Sequence, residues 1–225
     1  MGNLYIVATP IGNLEDMTLR AIRVLKEVDL VLCEDTRETG KLLKHYEISK
    51  PLKSYHAQSS LSKIDDVIEI LQEGKNIALV SDAGTPTISD PGSLLVKKIR
   101  EELPEVKVLA IPGASAITSA YSISGITGGE FVFIGFLPHK KGRETLFKEI
   151  ASAERPYIFY ESPHRIIKTL ESLQEFAPTK QVFIGRELTK MFEESVSGSP
   201  AEIFEYFSKN PDKVRGEFVV IVYSV

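Results

Sequence analysis

The chain has 225 residues, 43% of them hydrophobic and 26% charged, with a net charge of −4. That composition suits a folded protein with a real core, in one large domain or two of roughly 100 residues. Cys33 is the only cysteine, which excludes a disulfide framework and a multi-thiolate metal site.

No stretch approaches the ~18 consecutive apolar residues of a membrane span. The first residues, Met1-Gly2-Asn3-Leu4, lack the basic flank of a secretory signal, so a cytoplasmic protein is expected. The negative charge argues against a general nucleic-acid coat protein. It leaves room for an RNA substrate held on a local basic face, and His139-Lys140-Lys141-Gly142-Arg143 is one such cluster. A solvated charge run would have the same composition.

Leu4 to Ala8 has the apolar run of a buried strand and ends in the breaker-rich Thr9-Pro10-Ile11-Gly12-Asn13. Helical spacing follows from Thr18 to Leu25, with Asp16 as its expected cap. A second strand, Leu30 to Cys33, ends in Glu34-Asp35-Thr36-Arg37. A carboxylate pair with a guanidinium at a strand end could serve chemistry; a solvent-facing pair between Glu34 and Arg37 has the same spacing. Ile64, Val67, Ile68 and Leu71 then mark a helix, with Ser62 and Asp65 as an expected capping box.

The run Ile77 to Val80 predicts a buried strand, and Ser81-Asp82-Ala83-Gly84-Thr85-Pro86-Thr87-Ile88-Ser89-Asp90-Pro91-Gly92 is a long loop at its carboxyl end. Ligands of open α/β sheets sit at such ends, although a purely structural turn also uses breakers. Pro91 suits the first turn of the helix beginning near Ser93. Val106 to Ile111 reads as a further strand, so the first half alternates strand and helix in the manner of a mostly parallel sheet.

Pro112-Gly113-Ala114-Ser115-Ala116 opens a small-residue helix, and the domain boundary is placed here: residues 1–114 and 115–225. In the second half, Phe131 to Phe136, Tyr157 to Tyr160, Gln181 to Ile184 and Glu217 to Tyr223 read as strands. Their closer spacing predicts a mixed sheet. Ser162 is expected to cap a helix with Pro163 at its first position, and Ser199-Pro200-Ala201-Glu202 carries a capping box for another.

Several catalytic outfits are missing. There is no P-loop, no Gly-x-Gly-x-x-Gly after the first strand and no Gly-x-Ser-x-Gly elbow. His45, His56, His139 and His164 show no metal spacing, so no metal is expected. What remains is a set of strand-end loops containing Ile11, Gly84, Ser115, Tyr160 and Leu188. Such loops offer free backbone groups to a bulky ligand such as an adenosyl group. Methyl transfer from a sulfonium needs chiefly in-line positioning, plus a carboxylate base when the acceptor is a hydroxyl.

Five segments stand in order: Leu4 to Leu14, Cys33 to Arg37, Ser81 to Gly92, Pro112 to Ala116, and Glu161-Ser162-Pro163-His164-Arg165. Together they resemble the tetrapyrrole methylase superfamily, in its branch that methylates ribosomal RNA, over essentially the whole chain. The resemblance implies two α/β domains with the ligand cleft between them, as a homodimer. The implied reaction is S-adenosylmethionine-dependent 2′-O-methylation of a cytidine in the decoding region of 16S rRNA, within the 30S subunit.

By position, the implied donor site includes Ile11, Ala83, Gly84, Thr85, Ile88, Ser115, Ala116, Tyr160 or Glu161, and Leu188. Many superfamily members have Gly-Asp-Pro where this chain has Gly84-Thr85-Pro86, which leaves Asp82 or backbone groups to do that work. Asp35 is the expected base, with Glu34 as second choice and Arg37 orienting a carboxylate or a phosphate. The alternatives are a precorrin C-methyltransferase, a diphthine synthase-like enzyme, or a non-catalytic ribosome- or RNA-binding protein.

Overall fold

The computed structural model describes residues 1–56 and 61–225, and the side chains of these apart from 61 and 62. The chain falls into two compact units, Met1–Ser115 and Ala116–Val225.

In the first unit the strands are β1 (Leu4–Val7), β2 (Leu30–Cys33), β3 (Leu52–Ser54), β4 (Ile77–Leu79) and β5 (Val108–Ile111). They form one sheet in the order β3-β2-β4-β1-β5, with every pairing parallel. Helices α1 (Leu19–Glu27), α2 (Thr36–His45), α3 (Leu61–Gln72) and α4 (Ser93–Glu102) connect them. Successive strand residues point to opposite faces, and both faces are covered, which is why these strands read as unbroken apolar runs. Leu4, Leu32 and Leu79 pack against Ile64, Leu71, Leu95 and Ile99 of α3 and α4. On the other face Val7, Val31 and Ala78 meet Ala21, Val24, Leu25 and Leu43 of α1 and α2.

This order creates a reversal point. β1 and β4 are neighbours, yet α1 after β1 lies on one face and α4 after β4 lies on the other. The loops leaving their carboxyl ends therefore lie at the usual ligand position in such sheets.

The second unit holds α5 (Ala116–Ile123), β6 (Val132–Phe136), α6 (Arg143–Ser152), β7 (Tyr157–Glu161), α7 (Ile166–Phe176), β8 (Gln181–Arg186), β9 (Glu194–Gly198), α8 (Pro200–Lys209) and β10 (Phe218–Tyr223). Its sheet runs β6-β7-β10-β8-β9, with β6 and β7 parallel and the other pairings antiparallel. The mixed sheet is therefore as expected. Phe147, Phe159, Leu170, Leu173, Phe207 and Phe218 fill its main core between the sheet and α6, α7 and α8.

Several local expectations need correction. Thr18, not Asp16, caps α1, its hydroxyl accepting from the Ala21 amide at 3.1 Å. Gly92 is the N-cap of α4, so Pro91 lies outside the helix. Ser162 starts a turn whose carbonyl accepts from the Arg165 and Ile166 amides, and α7 begins at Ile166. The Ser199–Glu202 capping box is formed. The box expected at Ser62 turns on a side chain outside those described. Among the described residues, no helix is long and apolar enough to cross a membrane.

Candidate functional site

The loops after β1 and β4 are stitched together. The Thr9 amide donates to the Gly84 carbonyl at 2.9 Å, and the Gly84 amide donates back to the Thr9 carbonyl at 3.1 Å. The buried Thr9 hydroxyl adds a bond to the Ser81 carbonyl at 3.0 Å. Gly84 takes φ +80°, a left-handed conformation that side chains resist, and a Cβ there would stand 3.3 Å from Ile11 Cγ2. Thr85 donates its hydroxyl to the Ala114 carbonyl at 3.3 Å. Ile11, Gly84, Thr85 and Ala114, just before Ser115, thus come together at the strand ends. Ala83 and Ile88 of the same loop are exposed.

The carboxylates at the neighbouring strand end play different parts. Asp35 is the N-cap of α2, accepting from the Arg37 amide at 2.8 Å. It also holds the Arg37 guanidinium through Nε at 3.1 Å and Nη2 at 2.7 Å. These bonds keep its carboxyl well below the usual range. The partner of Arg37 is thus Asp35 and not Glu34. Glu34 is half-buried, and its carboxyl is pushed up, first by burial and then by the Asp90 and Asp82 carboxylates. Asp82 Oδ1 accepts from the Asp35 amide at 3.2 Å, which ties the loops after β2 and β4 together. Burial also raises Asp90, which faces the Ser81 hydroxyl.

Asp90 is the functional candidate that sequence reasoning missed. It lies within the loop already singled out, but only the pairing of β2 with β4 brings it toward Glu34, more than fifty residues earlier.

In the second unit Tyr160 and Glu161 close β7. Tyr160 packs between Phe133 and Phe136, with ring centroids 5.2 and 5.5 Å away. Glu161 is buried, and its carboxylate is engaged from three sides. Thr169 donates at 2.6 Å, the Ser162 amide at 2.9 Å, and Arg165 Nε lies at 3.3 Å. Leu188 is buried in the turn after β8, against Gly185. Ala116 opens α5. Among the described residues, no group of three or more His, Cys, Asp or Glu could hold a metal ion.

Comparison with known proteins narrows the assignment. Residues 3–203 match the family described as Tetrapyrrole (Corrin/Porphyrin) Methylases. The chain is 46% identical to ribosomal RNA small subunit methyltransferase I of Thermotoga maritima, covering 99% of this chain and 98% of that protein. It is also 46% identical to the protein of that name from Bacillus subtilis, covering 99% of this chain and 75% of the relative. Among solved structures, the methyltransferase CobJ aligns with a TM-score of 0.72 at 19% identity, covering 100% of this chain and 95% of its own. Uroporphyrin-III C-methyl transferase from Thermus thermophilus, complexed with S-adenyl homocysteine, aligns with a TM-score of 0.66 at 16% identity, covering 99% and 97%. Those two likenesses speak for the fold, and the near-full-length identities speak for the branch. The chain belongs to the tetrapyrrole methylase family, among its ribosomal RNA small subunit methyltransferase I members.

Proposed function

We propose that this chain methylates the ribose 2′-hydroxyl of a cytidine in 16S rRNA of the small ribosomal subunit, with S-adenosylmethionine as donor. The observation that carries the reading is the pair of bridged loops at the β1–β4 reversal point, in a chain 46% identical to relatives named for rRNA methylation. The fit is good. Gly84 presents bare backbone beside the apolar Ile11, which is what a large nucleoside with few fixed charges requires.

Bound there, the donor brings its own leaving group, so the protein need only position it and accept a proton. Donor contacts are assigned to Ile11, Ala83, Gly84, Thr85, Ile88 and Ser115, and in the second unit to Ala116, Tyr160, Glu161 and Leu188. Glu34 is the better proton acceptor of the two neighbouring carboxylates. Its raised affinity for a proton suits a base working near neutral pH, whereas Asp35 is committed to Arg37. Asp35 then fixes the start of α2 and aims Arg37, whose exposed side chain suits a phosphate. A homodimer acting in the cytoplasm belongs to the same reading.

The test is methyl transfer to 30S subunits from cells lacking the enzyme, with the product nucleoside mapped by mass spectrometry and donor binding followed by calorimetry. A 2′-O-methylcytidine in 16S rRNA is expected. Donor binding without any rRNA product would overturn the substrate, and absence of donor binding would overturn the enzyme.

A further inference from the structure

The carboxyl end of β6 carries an exposed aromatic and basic surface beside Tyr160. β6 is an edge strand, paired only with β7. Its register is Phe133 opposite Ile158 and then Phe136 opposite Tyr160, so one extra residue is inserted between them. Gly135, at φ +67°, absorbs the bulge. Without it Phe136 would fall on the face of Ile134, toward the core. With it Phe136 joins Phe133 and Tyr160 on the opposite face, where it remains 59% exposed. The bulge thus leaves a large aromatic ring at the surface beside the end of the strand.

The next residues supply charge. Leu137 and Pro138 are pinned by their carbonyls: Arg165 Nη2 donates to them at 2.7 and 3.4 Å, and Arg143 Nη1 donates to Pro138 at 3.4 Å. Behind them Arg165 pairs with the buried carboxylate of Glu161, Arg143 Nη2 donates to the Thr169 hydroxyl at 2.7 Å, and Arg143 Nε is buried without a hydrogen-bond partner. This fixed base carries a tip, His139-Lys140-Lys141, that is wholly exposed. No acidic residue occurs from Phe131 to Arg143, and Glu144 beyond them is paired with Lys148. Lys140 and Lys141 make no ion pair among the described residues. In a chain of net charge −4, many other lysines, such as Lys41, Lys53, Lys98 and Lys209, are neutralised by a carboxylate. Across α7's first turn, His164 and Lys168 are exposed as well.

We propose that Phe136 and the Lys140–Lys141 loop form a landing platform for a single-stranded stretch of the RNA substrate, Phe136 stacking on a base and the two lysines meeting phosphates. An exposed ring followed by unpaired cations, at most about 18 Å further along the chain, is the pairing by which single strands are held without reading a duplex. A purely apolar partner would leave the lysines unmatched, and a purely anionic one would leave the ring in water. The inference rests on the rRNA reading above.

The test compares wild type, the double variant K140A/K141A, Phe136→Ala and Phe136→Trp. It measures binding to purified 16S rRNA across a salt series and methyl transfer to 30S subunits. The lysine variant should bind more weakly and lose about 1.4 from the slope of log K against log salt, some 0.7 for each lost phosphate contact. Phe136→Ala should weaken binding roughly 5- to 100-fold, and Phe136→Trp should retain it. Unchanged affinity and slope, with wild type methylating rRNA normally, would overturn the platform alone. A wild type that neither binds nor methylates rRNA would overturn the parent reading with it. Size-exclusion chromatography of the same proteins is expected to be unaltered. A variant that changes oligomeric state would assign the surface to a second copy of this chain and overturn the inference.

Discussion

Thr9 and Gly84 exchange backbone hydrogen bonds at 2.9 and 3.1 Å, closing the loops after β1 and β4 into one backbone unit. Because Gly84 sits at φ +80° with Ile11 3.3 Å from where a Cβ would stand, Gly84→Ala should cost about 1–2 kcal/mol of stability. It should also weaken S-adenosylmethionine binding, since either the bridge or Ile11 must yield. Thermal unfolding and calorimetry would show both effects, and a variant with wild-type donor affinity would remove this loop from the donor site.

Glu34→Gln should retain donor binding and lose methyl transfer. In the wild type, the acid limb of kcat/KM should lie above the pH of an ordinary glutamate, because the carboxyl must shed its proton to act and burial raises its pKa. Stability follows the opposite course. A carboxyl raised on folding helps the native state while protonated, and that help is lost as pH rises through the folded-state pKa. Glu34→Gln should therefore melt at a higher temperature than wild type at pH 7, with the gain shrinking on acidification.

Asp35→Ala has the reverse signature. Its carboxyl is depressed on folding, so it supports the fold above its unfolded pKa and ceases to as pH falls. The variant removes the α2 cap and releases Arg37, so it should melt at a lower temperature at pH 7 and approach wild type in acid. Its KM for 30S subunits should rise more than its kcat falls. A complete loss of kcat with unchanged stability would instead make Asp35 the base.

Glu161→Ala leaves the Arg165 guanidinium without its carboxylate, and strips Thr169, which also accepts from Arg143, of its own acceptor. A cost of about 3–5 kcal/mol is expected from uncompensated buried charge. Urea denaturation measures it. A loss of donor affinity in Glu161→Gln, with the fold intact, would show direct contact with the ligand.

The fold was legible wherever burial imposes a pattern. Ile77 to Val80 and Leu30 to Cys33 are covered on both faces, and their apolar runs announce it. The strands β3 and β9 escaped notice because they lie at sheet edges, where Lys53, Ser54, Ser195 and Ser197 need not be apolar. Helix α2 was hidden by the charges that open it: Asp35 and Arg37 suggest a reactive loop, whereas one caps the helix and the other pairs with the cap. The loop from Ser81 to Gly92 was visible by its breakers. The proximity of Glu34 to Asp82 and Asp90 was not, because it depends on which strand pairs with β2.

That pairing has a consequence for synthesis. Thr9 and Gly84 are 75 positions apart, and β1 cannot take its place beside β4 until more than a third of the chain has left the ribosome. Contacts across such separations form slowly, after the local helices. The bridge between the loops after β1 and β4 therefore completes late, and a nascent chain ending before Ile77 would hold the first strand without that neighbour.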